Sequence, residues 1–204
     1  MSARRSQNNW KSNGPRMLGY QPGWLWWVLM SLLVIAGIGL IVLRTDREQS
    51  VQHELDTRIE TYARQAGLPS ELVHAVVAVE SGGDPKAVSY ANARGLMQIT
   101  PITLADVQSR FDVPAGGVED LYDPDYNLHI GTVYLAYLLE RFEGDTKLAL
   151  AAYHMGPTAI ARLRREHPAL STDELLKLDG ENQVGSKTRA YVKKVMGLVG
   201  DASP

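Results

Sequence analysis

Residues 24 to 43 read WLWWVLMSLLVIAGIGLIVL, twenty positions without a charge and nearly all apolar. As one helix such a run covers a hydrocarbon core of about 30 Å. A core helix of a water-soluble protein keeps a polar face, and this segment has none. The sequence therefore predicts a transmembrane helix over 24–43. Arg4, Arg5, Lys11 and Arg16 precede it with no acidic residue, so the positive-inside rule assigns residues 1–23 to a basic cytoplasmic tail. Trp24, Trp26 and Trp27 fall where an aromatic belt meets the headgroups. A cleaved signal peptide is the competing reading. Its apolar region is usually about 7–15 residues long and ends at a small-residue site, and no clear A-x-A follows here.

The expected location is thus the cytoplasmic (inner) membrane, crossed once, with the bulk of the chain on the periplasmic or extracytoplasmic side. The chain has 204 residues, room for one domain besides the anchor. It has no cysteine, so neither disulfides nor an N-terminal lipidated Cys enter. The net charge is −2, and with four cations in the tail the remainder carries −6. Phosphate binding wants a basic surface, so nucleic acid is excluded as a partner. The five histidines show no ligand spacing, and neither a metal nor another cofactor is expected.

Residues 44–54 are charged and lack a strong apolar face, which reads as a stalk that continues the membrane helix or follows it. From there to residue 204 helix signals recur with almost no alternating strand pattern. Leu55, Ile59 and Tyr62 begin an amphipathic helix that stops at Gly67. Ser70 is the expected N-cap of the next. Gly82, Gly83 and Pro85 open a loop to about Gly95. A second break at Asp112 to Pro124 precedes a long helix with Leu128, Tyr134, Leu135, Leu138 and Phe142 on one side, closed by Gly144. Asp145 caps a helix through Tyr153. Pro157 suits the first turn of another that stops before Pro168. Ser171 with Glu174 forms a capping box, and Thr188 to Leu198 is the last helix. The expectation is an all-α domain over 55–204, large enough to bury a core without staples.

Glu80 is the informative residue of that domain. Counting back by three and four gives Val77, Val76 and Val73, so its carboxyl continues the stripe a helix would bury. Desolvation favours the neutral acid and raises its pKa toward the range useful for proton donation near neutral pH. A carboxylate that ends the helix and pairs with an Arg or Lys is the alternative. Asp84, the nearest second carboxylate, sits in a Gly-Gly-Asp-Pro turn where Asp normally bonds its own backbone. Tyr153, in an alanine-rich helix, has plain core as its alternative reading.

Four motifs in order, Glu80-Ser81, Gly95-Leu96-Met97-Gln98, Ala152-Tyr153 before Gly156-Pro157, and Thr188-Arg189 before Tyr191-Val192, resemble those of the soluble lytic transglycosylase (SLT) family. Asn127 and Gly131 also match, and the resemblance covers about residues 57 to 200. It implies a lysozyme-like α fold and cleavage of the MurNAc–GlcNAc β-1,4 bond of peptidoglycan glycan strands. By position, Glu80 is then the catalytic acid and base. Ser89, Met97, Gln98, Tyr153, His154, Tyr191 and, more loosely, Glu181 are expected to contact substrate. Ordinary glycosidases need two carboxylates. One suffices when the C6 hydroxyl of MurNAc attacks its own anomeric carbon, and the resemblance implies that route, which leaves a 1,6-anhydro ring. His154 stands where the family has Asn, Lys187 where it often has Glu, and Thr100 where relatives often place Met, which affects subsite contacts more than reaction type. A lysozyme-type hydrolase and a catalytically silent glycan-binding scaffold are the competing functions.

Overall fold

A computed structural model describes residues 23–178 and 184–201. The chain divides into two compact units at Gln49/Ser50. The first described helix, α1 (Trp24–Gln65), begins in the first unit and ends in the second, so the expected stalk is helical throughout. Within the first unit the apolar side chains point outward: Trp24, Trp27, Leu33, Ile35 and Ile41 are all exposed. The most apolar stretch of this helix has a mean hydropathy of 2.5, and none of it is buried.

The second unit contains the end of α1 and seven more α-helices: α2 (Ser70–Glu80), α3 (Pro101–Arg110), α4 (Pro124–Arg141), α5 (Thr146–Met155), α6 (Pro157–Glu166), α7 (Thr172–Lys177) and α8 (Ser186–Asp201). Among the described residues there is no strand, and the backbone of 88–99 is pinned by two isolated bridges, Val88 with Arg94 and Arg94 with Ile99. The alanine-rich α5 is the hub. Leu148, Ala149, Leu150, Ala151 and Ala152 are all buried, and α5 packs against α4, α6 and α8, while α8 also packs on α2. Small side chains on one helix let three neighbours approach it closely.

The ends of the elements follow local chemistry. Asp145 accepts from the Leu148 amide at 3.0 Å, Pro157 occupies the first turn of α6, and Ser171 and Glu174 form their capping box. Several boundaries differ from the sequence reading, among them the last helix, which runs Ser186–Asp201 rather than Thr188 to Leu198. Ser70 is the first residue of α2 and makes no cap bond, because Pro69 takes the N-cap position. Asp123 caps α4, accepting from the Tyr126 amide at 2.9 Å, so that helix starts one residue earlier than Asp125. Residues Val118–Tyr122 form a 3₁₀ helix inside the expected break; five residues carry too little periodicity to announce it.

Candidate active site

Glu80 is the last residue of α2, and its stripe partners Val73, Val76 and Val77 are buried. The helix stops there because Gly82 and Gly83 both take left-handed φ values, 65° and 85°. Burial pushes the Glu80 carboxyl up to about 7, a nearby Tyr191 hydroxyl opposing the shift in part. No charged side chain among the described residues contributes. The negative end of the helix dipole at this position also disfavours a carboxylate. Of the two readings of Glu80, burial without a charged contributor favours the desolvated acid.

Two tyrosines lie beside it. Tyr191, from α8, is buried, and its hydroxyl finds no partner in good hydrogen-bond geometry. Burial and the adjacent Glu80 raise it far above the ordinary phenol range, so it stays a neutral donor poised over the acid. Tyr153, from α5, donates to the Met97 carbonyl at 2.7 Å, and its pKa is likewise raised by burial and then by Glu80. The ring of His154 stacks on Tyr191 with centroids 4.8 Å apart. Its Nδ1 lies 3.0 Å from the Thr188 hydroxyl. Burial first, then the charge of Lys187, lower the His154 pKa, so the imidazole is held neutral.

The loop after α2 forms the remaining side. Ser81 donates to the Leu96 carbonyl at 2.8 Å and accepts from the Gly83 amide at 3.1 Å, which ties the acid's helix to the loop. Asn127, fully buried in α4, accepts from the Met97 amide at 2.8 Å and donates to the Arg94 and Leu121 carbonyls at 2.8 and 2.9 Å. Gly95, at φ 73°, allows this approach: a Cβ there would sit 2.2 Å from the Leu121 oxygen and 2.3 Å from the Asn127 amide. Gln98, itself at φ 49°, donates its amide to the carbonyls of Ala87 and Gly95, both at 3.1 Å. Ser89 accepts from the Ala93 amide at 3.1 Å and closes the turn between them.

The structure brings Glu80, Tyr153, His154 and Tyr191 together. Met97 requires a correction: its side chain is 0% exposed and packed on Gly131, where a Cβ would come within 2.4 Å of the Met97 sulfur. Its side chain is closed off, and its contribution beside the acid is the backbone carbonyl that accepts from Tyr153. Glu181 lies outside the described residues. Asp84 bonds the Lys86 amide at 2.8 Å, the turn role expected of it. Sequence reasoning assigned no role to Ser81, Thr188 or the Asn127 clamp. The signal for the last was an Asn and a Gly spaced i, i+4 on the buried face of a helix. A groove of about 430 Å³ opens where Tyr153 and His154 reach the surface and runs past Tyr134 and Tyr137 to Arg110 and Arg141.

A helical domain with one desolvated carboxyl flanked by two tyrosines holds a proton donor in an apolar setting. The chain belongs to the transglycosylase SLT family, whose domain model matches residues 57–176. It is 32% identical over 187 residues to the soluble lytic murein transglycosylase of Salmonella typhimurium, covering 91% of this chain and 28% of that one. It is 34% identical over 158 residues to the membrane-bound lytic murein transglycosylase C of Actinobacillus pleuropneumoniae, covering 67% and 42%. Among solved structures, the 70 kDa soluble lytic transglycosylase of Escherichia coli superposes with a TM-score of 0.63 at 29% identity, over 70% of this chain and 23% of that one. An inactive Glu-to-Gln mutant of the Pseudomonas aeruginosa Slt gives a TM-score of 0.62 at 29% identity, with the same coverage of 70% and 23%. The chain thus spans between about a quarter and two fifths of the length of these relatives.

Proposed function

We propose that this chain is a lytic transglycosylase that cleaves the MurNAc–GlcNAc β-1,4 bond of peptidoglycan and leaves 1,6-anhydroMurNAc ends. The observation that carries the reading is the Glu80 carboxyl, desolvated to a pKa of about 7 with no second carboxylate acting on it among the described residues. Neutral Glu80 gives its proton to the glycosidic oxygen as the C1–O bond breaks. The resulting carboxylate then takes the proton of the C6 hydroxyl as that oxygen bonds to C1. The proton lost in the first step is recovered in the second, and no water is consumed. An internal nucleophile carries a large entropic advantage over a solvent one. Tyr191 and Tyr153 hold the acid and its surroundings, and Gln98, Ser89 and His154 are the polar groups offered to the sugar. The printed names of the relatives, all lytic murein transglycosylases, support the substrate class.

The same reading places residues 24–43 across the cytoplasmic membrane, the N-terminus inside and the domain of 55–204 outside. It draws on the four tail cations, the outward apolar surface of α1 and the membrane-bound relative.

The test is mass spectrometry of products from peptidoglycan sacculi treated with the detergent-solubilised full chain. The expected products carry 1,6-anhydro ends, and Glu80→Gln removes them. Reducing ends, one water heavier, would identify a hydrolase instead, and strand binding without any product a silent scaffold.

A further inference from the structure

The groove beside the site carries chemistry that cleavage of the glycan backbone does not use. Its wall is an aromatic ladder leading away from the acid. The Tyr153 and Tyr134 rings are 5.5 Å apart, and the Tyr134 and Tyr137 rings 6.3 Å. At the far end two guanidinium groups approach one ring: the Arg110 and Arg141 carbons lie 5.6 and 5.9 Å from the Tyr137 centroid. Arg110 is paired with Asp106 at 2.7 Å. Arg141 donates to the Tyr137 hydroxyl at 2.9 Å and has no carboxylate partner among the described residues. Two cations held at one ring against a single carboxylate leave an excess positive charge, on a chain whose remainder past the tail is net negative. Arg presents a planar fork of donors matched to a carboxylate.

We propose that this end of the groove is a subsite for a carboxylate of the short peptide attached to MurNAc, with Arg141 as its principal ligand. The proposal deepens the transglycosylase reading and rests on it. Peptidoglycan strands carry peptides with free carboxylates, and an extended peptide advances about 3.3–3.6 Å per residue. Three or four residues therefore cover the two ring-to-ring steps from Tyr153 to Tyr137. The tyrosines along the way supply apolar surface with polar edges suited to a peptide backbone. The groove therefore selects peptide-bearing strands over bare glycan. Asp106 acts against binding, because it competes for Arg110 and repels the incoming anion.

The test compares product release by the full chain from peptide-bearing strands and from the same strands stripped of peptides by an amidase. The readout is the ratio of kcat/KM on the two substrates. Arg141→Ala lowers that ratio about tenfold, the size expected from one lost charge-assisted hydrogen bond, and Arg141→Lys lowers it less. Asp106→Asn moves the ratio the other way, which guards against an effect of misfolding. A ratio unmoved by Arg141→Ala, or moved in the same direction by Asp106→Asn, overturns the subsite while the transglycosylase reading stands. Absence of anhydro product from wild type on both substrates overturns that reading, and the subsite with it.

Discussion

At the residue scale, the site is organised around keeping one carboxyl neutral until it is used. Glu80 has its pKa raised from 4.5 to about 7, so the folded chain holds this proton more tightly than the unfolded chain does. The stability that goes with the proton is complete below about pH 4.5 and is lost as pH rises through about 7. Glu80→Gln, which keeps the shape and removes the charge, is therefore expected to raise stability at pH 8 by about 2–3 kcal/mol, or Tm by about 5–10 °C. At pH 4 the two proteins should melt within about 2 °C of each other, a difference of under about 1 kcal/mol. Thermal melts at both pH values check the sign. The rate follows the same proton: product formation by wild type should fall along an alkaline limb centred near pH 7, read from the pH profile of kcat/KM. A limb displaced to ordinary carboxylate pH would remove Glu80 as the proton donor. Much of this residue was legible beforehand, since the valine stripe leading to Glu80 announces burial. The tyrosine partners were legible through motif resemblance alone, because Tyr153 and Tyr191 sit in helical patterns indistinguishable from core.

At the scale of elements, the loop between α2 and α3 is held by a neighbour rather than by its own regular structure. Asn127 reaches from α4 into that loop and satisfies one amide and two carbonyls at once. Replacing it with Ala leaves those buried groups unpaired, at a cost of about 3 kcal/mol. Gly95→Ala adds a Cβ into backbone oxygen at a left-handed φ and should cost at least as much. Denaturant unfolding measures both, and anhydro-product assays on the folded fraction should show reduced turnover, because Met97 and Gln98 lose their anchor. Helices were readable from periodicity, caps and prolines. Loop geometry was not, since Asn127 acts on residues about thirty positions away, and a local pattern carries no record of a distant contact. Met97 illustrates the reverse case: a motif position suggested substrate contact, whereas its side chain is packed on Gly131 in the core.

At the scale of the whole molecule, the two units present opposite solutions to the same problem of apolar surface. Residues 50–204 bury a continuous core running from Ile59 to Val195, while the apolar side chains of 24–43 remain on the outside. If the latter span a membrane as proposed, the full chain should sediment with membranes and resist extraction by high salt or alkaline carbonate. A chain beginning at Ser50 should be recovered in the soluble fraction and still form anhydro ends. Full release of the intact chain by carbonate would exclude a spanning helix. The charge asymmetry around residues 24–43 was the clearest large-scale signal in the sequence, because orientation in a bilayer depends on counts of lysine and arginine rather than on packing detail.

Glu80 and the tyrosine that faces it come from opposite ends of the domain. Glu80 closes α2, whereas Tyr191 and Thr188 belong to α8, which packs on α2 and α5. A ribosome therefore finishes the acid more than a hundred residues before the hydroxyl that faces it. Until the final helix seats, Glu80 lacks the covering that raises its pKa, so under the proposed function the acid is armed only when the last helix is in place.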